Sequence, residues 1–226
     1  MSYFTEDTFK FFRALARNNN RDWFNENKQR YLDHVRDPFL AFIRDLDPKL
    51  REISSHYRAS DKANGGSLFR IYRDTRFSKD KTPYKTWAGA RFFHADVGKR
   101  GGPVYYLHLQ PGNVFLGAGM WHPPTPITQQ VRSFLQNNPR AWTRAVSDPG
   151  FKRKFRLAGD SLKRTPRGFD PDHPLADDIR RKDFIVISEF TDAQALSSRF
   201  LNLYVRRCAA ASDFMDYLCA ALDLEF

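Results

Sequence analysis

The fold turns on PVYYLHLQPGNVFLGAGMW, residues 103–121. Two runs rich in aromatic and β-branched residues flank Pro111 and Gly112, and a Pro-Gly pair between such runs reads as a turn joining antiparallel neighbours. Upstream, WAGARFFHAD (87–96) and LFRIYRD (68–74) have the same texture, so a meander of four strands is expected. Alternation along these strands puts His108 on the face of Tyr106 and His94 on that of Phe92. In LFRIYRD it puts Phe69, Ile71 and Arg73 on one face, and Arg70, Tyr72 and Asp74 on the other.

Outside the meander the period changes to that of helices. Thr5 followed by Glu6 and Asp7 starts one, with Phe9, Phe12 and Ala16 on one face before Asn18, Asn19 and Asn20 interrupt it. A second is expected over Trp23 to Val35. A third begins after Asp37 with Pro38 in its first turn and Phe39, Phe42, Ile43, Leu46, Leu50 and Ile53 at helical spacing. SSHYRASDKANGGS (54–67) reads as a loop. Downstream, Thr125 and Pro126 open a helix through Val131, Phe134 and Leu135, with short helices around Trp142 and Phe151. FIVISEF (184–190) suits a buried strand. Thr191 with Gln194 forms a capping box for a long helix, and Phe214, Tyr217, Leu218, Ala221 and Leu222 line one face of the last. The reading is a single α+β domain spanning 1–226, its central, largely antiparallel sheet packed by N-terminal and C-terminal helices.

The chain has 226 residues, 41% of them hydrophobic and 15% aromatic, the composition of a packed body rather than a disordered one. Lys plus Arg number 37 against 26 Asp plus Glu, a formal charge of +11 that favours phosphate-bearing partners. No window offers the roughly 20 apolar residues of a membrane span. Cys208 and Cys219 lie in a helical segment, and no Cys/His spacing in the sequence suits a zinc site. The expectation is a cytoplasmic protein with reduced thiols, no bound metal and no cofactor.

The charge concentrates in RDTRFSKDKTPYK, residues 73–85. Arg76, Lys81 and Lys85 follow the expected LFRIYRD strand. Arginine's planar fork suits bidentate capture of carboxylate or phosphate, and lysine adds a point charge. In the functional reading, Arg70, Arg73, Arg76, Lys81 and Lys85 contact an anion. Asp74 and Asp80 orient those cations, and Tyr84, Tyr106 or Trp121 stacks on a base or ring, with His108 beside Tyr106. In the bland reading the acids neutralise the cations, and Pro83 and Tyr84 pin the loop by packing. Both predict that Arg73 and Arg76 are paired with Asp74, Asp80 or another acid. A nuclease arrangement of Asp74, Asp80 and Lys81 lacks the second-strand acid and lysine that it needs.

His122, after the glycines of GAGMW, and His173, flanked by Asp170 and Asp172, are the acid–base candidates. The segment around His173 reads first as a turn capped by Asp. The basic run from Lys152 to Arg167 reads as a solvated helix face or an extension of the anion surface.

NNNRDWF (18–24), RDTRFSKDKTPYK, YYLHLQPG (105–112), GAGMWHP (117–123) and PRGFDPDHP (166–174) followed by Lys182 together make the chain similar to the domain of unknown function 2461 family, seen in bacteria and fungi. The likeness runs from about Phe9 to the C-terminal helix. It implies one α+β domain and points to no activity. Trp87 departs from the family, which more often places a small polar residue or His there. If that position lines a ligand groove, this member's ligand differs.

The function expected is binding of an anionic, phosphate-bearing ligand, a nucleotide or nucleic acid, in an Arg/Lys-rich cleft. The alternatives are a hydrolase or transferase acting on such a ligand, with His122 or His173 as acid or base, and an interaction module whose basic surface meets an acidic protein.

Overall fold

The computed structural model describes residues 2–98 and 101–226. Helices α1 (Glu6–Arg17), α2 (Arg21–Glu26) and α3 (Lys28–Tyr31) lead through a π-helical turn (Leu32–Arg36) into α4 (Asp37–Ile53). Strands β1 (Tyr57–Arg58), β2 (Ala88–His94), β3 (Val104–Gln110) and β4 (Asn113–Met120) follow. Next come α5 (Thr125–Asn137), α6 (Pro139–Ser147), α7 (Pro149–Lys152), β5 (Arg156–Ala158) and α8 (Ala176–Ile179). The chain closes with β6 (Phe184–Phe190), α9 (Asp192–Ala195), α10 (Phe200–Ala210) and α11 (Ser212–Ala220). All pairs in the six-stranded sheet are antiparallel, in the order β1-β2-β3-β4-β6-β5. The fold is therefore α+β, as the sequence indicates.

The hairpin at the centre forms as its residues dictate. Gln110 pairs with Asn113 across Pro111 and Gly112, and Gly112 takes φ 73, the sign a type II turn needs at its third residue. Alternation then splits the sheet into two unlike faces. Ala90 and Phe92, Tyr105 and Leu107, Leu116 and Ala118, and Phe184 and Val186 are all buried on one face. They meet the helices there: Phe92 lies edge-on to Tyr204 of α10, and Trp142 of α6 bridges Phe184 and Phe214. On the other face Arg91, Tyr106, Phe115, Gly117, Ile185 and Ile187 are only half-buried. This is the arrangement of an antiparallel sheet with one face packed and one open.

Five expectations need correction. LFRIYRD is not a strand. Phe69 N–H donates to Gly89 O of β2, but Arg73 N–H donates to Pro83 O and Lys85 N–H to Ile71 O. The segment thus changes partners midway, and only isolated bridges at Leu68 and Tyr72 remain. The second and third helices do not separate at Asp37, because the π turn carries the chain through. Pro38 has no N–H to give the carbonyl of His34 four residues back; the buried Thr8 hydroxyl donates to that carbonyl instead, at 2.8 Å. The capping box at Thr191 is present, but it opens a single turn, and helix resumes only at Phe200. Residues 54–67 are not all loop, since Tyr57 is fully buried and Tyr57–Arg58 forms the edge strand β1. The basic run from Lys152 to Arg167 likewise passes through β5 rather than along one helix face.

Candidate functional site

Two sequence motifs converge where the Arg73–Lys85 loop returns to the body. The Asn19 side chain pairs with the backbone of Tyr84 as a strand would: its Nδ2 donates to Tyr84 O at 2.9 Å, and Tyr84 N–H donates to its Oδ1 at 3.1 Å. Tyr84 is 3% exposed and its ring stacks on Phe24, centroids 4.1 Å apart. It therefore anchors the loop and has little surface left for stacking on a ligand. Asn20 caps α2 by accepting from Trp23 N–H. That places Arg21 and Asn25 with Tyr72, Arg73, Thr75, Pro83 and Tyr84 around a cavity of about 360 Å³.

Within the loop most cations are already engaged. Arg76 forms a bidentate pair with Asp74, at 2.9 and 2.7 Å. Arg73 donates to Asp80 and to the Thr82 hydroxyl. Lys81 Nζ donates to Thr75 O, and Lys85 Nζ to the carbonyls of Arg70 and Tyr72. The Arg76 partnership holds the Asp74 carboxyl down to about 2, and hydrogen bonds from Thr82 and Arg73 do the same for Asp80. The loop is thus a clasp closed on itself, with its acids orienting Arg73 and Arg76. Phe77 at its tip is 95% exposed.

Arg70 and Arg91 differ from these. Neither guanidinium has a carboxylate partner among the described residues. They share a cavity of about 230 Å³ with Ser67, Leu68, Phe69 and Phe93. Arg91 lies over the Phe69 ring at 6.0 Å, and burial lowers its pKa. Burial also lowers the pKa of Lys85, and the nearby charges of Arg70 and Arg73 lower it further. The cations here exceed the acids available to neutralise them.

Beside this basic rim the open face of the sheet is aromatic. Phe69 meets Tyr106 at 5.9 Å and Trp87 at 6.5 Å, Trp87 meets His108 at 4.9 Å, and His108 stacks on Phe115 at 4.8 Å. Gly89 makes room, since a Cβ there would lie 2.5 Å from the Tyr106 hydroxyl oxygen. Lys85 Nζ sits over Trp87 at 5.6 Å. His108 is held on both ring nitrogens: Tyr106 O–H reaches its Nδ1 at 2.9 Å and its Nε2 reaches Gln110 Oε1 at 3.2 Å, while burial lowers its pKa.

A family model described as a conserved hypothetical protein, DUF2461, matches residues 7–217. The chain belongs to the DUF2461 family. No curated protein matches it. Every motif quoted above for the DUF2461 likeness falls within the matched span. NNNRDWF and RDTRFSKDKTPYK meet through the Asn19–Tyr84 bonds.

The GAGMWHP motif of this DUF2461 chain builds a second constellation. His122 follows a strand end in which Gly119 takes φ 114, and it adopts φ 50 itself, an uncommon backbone state for a non-glycine residue, here one that precedes proline. The cause is Asp183, whose fully buried carboxylate accepts His122 N–H at 2.6 Å and Asp160 N–H at 2.8 Å. Asp183 Oδ1 also lies 3.2 Å from His122 Nδ1, and Trp121 stacks on the imidazole at 4.6 Å. The imidazole is exposed while its carboxylate is not. His173 does something else: its Nδ1 accepts Leu175 N–H at 3.1 Å inside a turn that Asp170 also caps. No hydrogen bond, ion pair or ring contact among the described residues joins Trp121, His122 or His173 to the Arg73–Lys85 loop. Asp183 and Arg91 carry no local motif, and sequence reading missed both.

Proposed function

We propose that this chain binds a phosphate-bearing ligand that also presents rings, a nucleotide or a single strand of nucleic acid, across the open face of the sheet. The observation that carries this reading is the pair Arg70 and Arg91, two guanidinium groups without acidic partners in one cavity beside an aromatic surface. Phosphate would meet the guanidinium groups and Lys85, and bases would stack against Trp87, Tyr106 and Phe115. Arg76 and Lys81 belong to the closed clasp and contribute mainly to its shape and to the surrounding positive field. Fluorescence anisotropy of a labelled oligothymidylate and of a fluorescent adenine nucleotide tests this. Arg70→Ala and Arg91→Ala are expected to weaken binding about tenfold or more, because a charged hydrogen bond is worth roughly 1.5–3 kcal/mol. Arg76→Ala should change it about twofold or less. Wild-type affinity in both Arg70→Ala and Arg91→Ala would overturn the reading.

A second reading, a hydrolase or transferase, draws on His122 and Asp183. A buried carboxylate at Nδ1 orients an imidazole so that Nε2 can accept or deliver a proton. Its test is turnover of phosphate esters by the wild type and by His122→Gln and Asp183→Asn. Equal turnover in all three would reject it.

A further inference from the structure

His56 and His94 lie far apart in the sequence and meet at the β1 edge of the sheet. His56 precedes β1 and His94 closes β2, and the register that pairs Tyr57 with His94 lays one imidazole over the other. The ring centroids are 5.2 Å apart and the planes 12° from parallel. Both Nδ1 atoms face one carboxylate: Asp96 Oδ2 lies 3.6 Å from His56 Nδ1 and 3.9 Å from His94 Nδ1. Taking one ligand atom from each residue, all three lie within 4.8 Å of one another.

These separations are too long for good hydrogen bonds. The two nitrogen–oxygen separations lie near the edge of a tetrahedron built on metal–ligand bonds of 2.0–2.2 Å, which is about 3.3–3.6 Å. The far sides of both rings are supported as metal-bound imidazoles usually are. His94 Nε2 lies 2.7 Å from Glu225 O, an acceptor, so Nε2 carries the proton and Nδ1 keeps its lone pair. Among the described residues the donor that reaches that lone pair is Asp96 N–H, at 3.3 Å. His56 Nε2 faces Glu225 Oε2 at 3.4 Å. Glu225 therefore backs both imidazoles, one through its carbonyl and one through its carboxylate.

We propose that His56 Nδ1, His94 Nδ1 and an Asp96 oxygen bind a divalent transition-metal ion of the zinc class, with the fourth position left to water or an added ligand. Two imidazoles and one carboxylate suit zinc, cobalt or nickel better than magnesium or calcium, which prefer oxygen alone. The partly exposed His56 and the exposed Asp96 give the ion a way in, while the fully buried His94 fixes the site to the sheet.

Calorimetric titration of the chelator-treated full chain with Zn²⁺ should show one equivalent bound. His56→Ala and Asp96→Asn should each weaken it by about tenfold or more, and His34→Gln should not. His94 is avoided because its burial makes a folding defect the first result of replacing it. The same Zn²⁺ concentration should raise the melting temperature of the wild type more than that of His56→Ala. Co²⁺ in place of Zn²⁺ should give visible bands of a nitrogen–oxygen site with no thiolate charge-transfer band. Failure to bind one equivalent would overturn the proposal, as would equal affinity in the wild type, His56→Ala and Asp96→Asn. So would a thiolate band, which would place the ion at Cys208 or Cys219.

Discussion

Gly159 adopts φ 91, and a Cβ on it would lie 2.3 Å from the Asp183 Cβ. The absence of a side chain lets the Asp183 carboxylate reach both Asp160 N–H and His122 N–H. Gly159→Ala should therefore cost about 2–4 kcal/mol, combining a strained backbone with a displaced buried carboxylate, as read from urea unfolding. The Arg73–Lys85 clasp makes a prediction of opposite character. Asp74 and Asp80 have folded-state pKa values near 2, below their ordinary 3.8. Their contribution is present above about pH 4 and is lost as the pH falls through 2, so their carboxyl NMR signals should titrate with midpoints near 2. A midpoint near 4 for either would show that the pairing is absent in solution. Pairing of Arg73 and Arg76 is legible in the sequence because so many neighbouring cations demand local acids. The His56–His94 and His122–Asp183 meetings are not, because each comes from strand placement across a long separation.

Elements are legible wherever one period rules and one partner serves. The Pro111–Gly112 hairpin meets both conditions, and so does FIVISEF, whose alternate residues Phe184, Val186, Ser188 and Phe190 are all buried. LFRIYRD fails the second, since its hydrogen bonds pass from β2 to the 83–85 segment of its own loop. The helix boundary expected at Asp37 fails for another reason: a π turn runs directly into α4 ahead of the proline, and the compensating donor, Thr8, lies in a different helix. Thr8 Oγ1 also accepts Thr5 N–H at 3.1 Å at the start of α1. Thr8→Val keeps the shape and removes both bonds, so it should destabilise by about 1–3 kcal/mol in chemical denaturation. A neutral result would mean that water or a shifted helix end replaces the hydroxyl.

Across the whole molecule, the formal charge of +11 and the half-covered sheet act together. If a polyanion binds the open face, its log affinity should fall linearly with log salt concentration, and Arg70→Ala should reduce the slope by about 1. A slope unchanged in that variant would move the phosphate contacts elsewhere. The sheet's outer edges are blunt, since β1 has two residues and β5 three, which limits edge-to-edge association. The strand order also sets an order of assembly. β3 and β4 are joined by two residues, whereas β4 and β6 are neighbours only after everything from Trp121 to Asp183 has been looped out. Closing so long a loop is entropically costly and slow relative to a hairpin. Pulse-labelled hydrogen exchange during refolding should therefore protect Tyr106 and His108 of the β3–β4 hairpin before Val186 of β6. Until β6 docks, the His122 backbone has no Asp183 to bend toward, so this left-handed turn should be among the last backbone features to form.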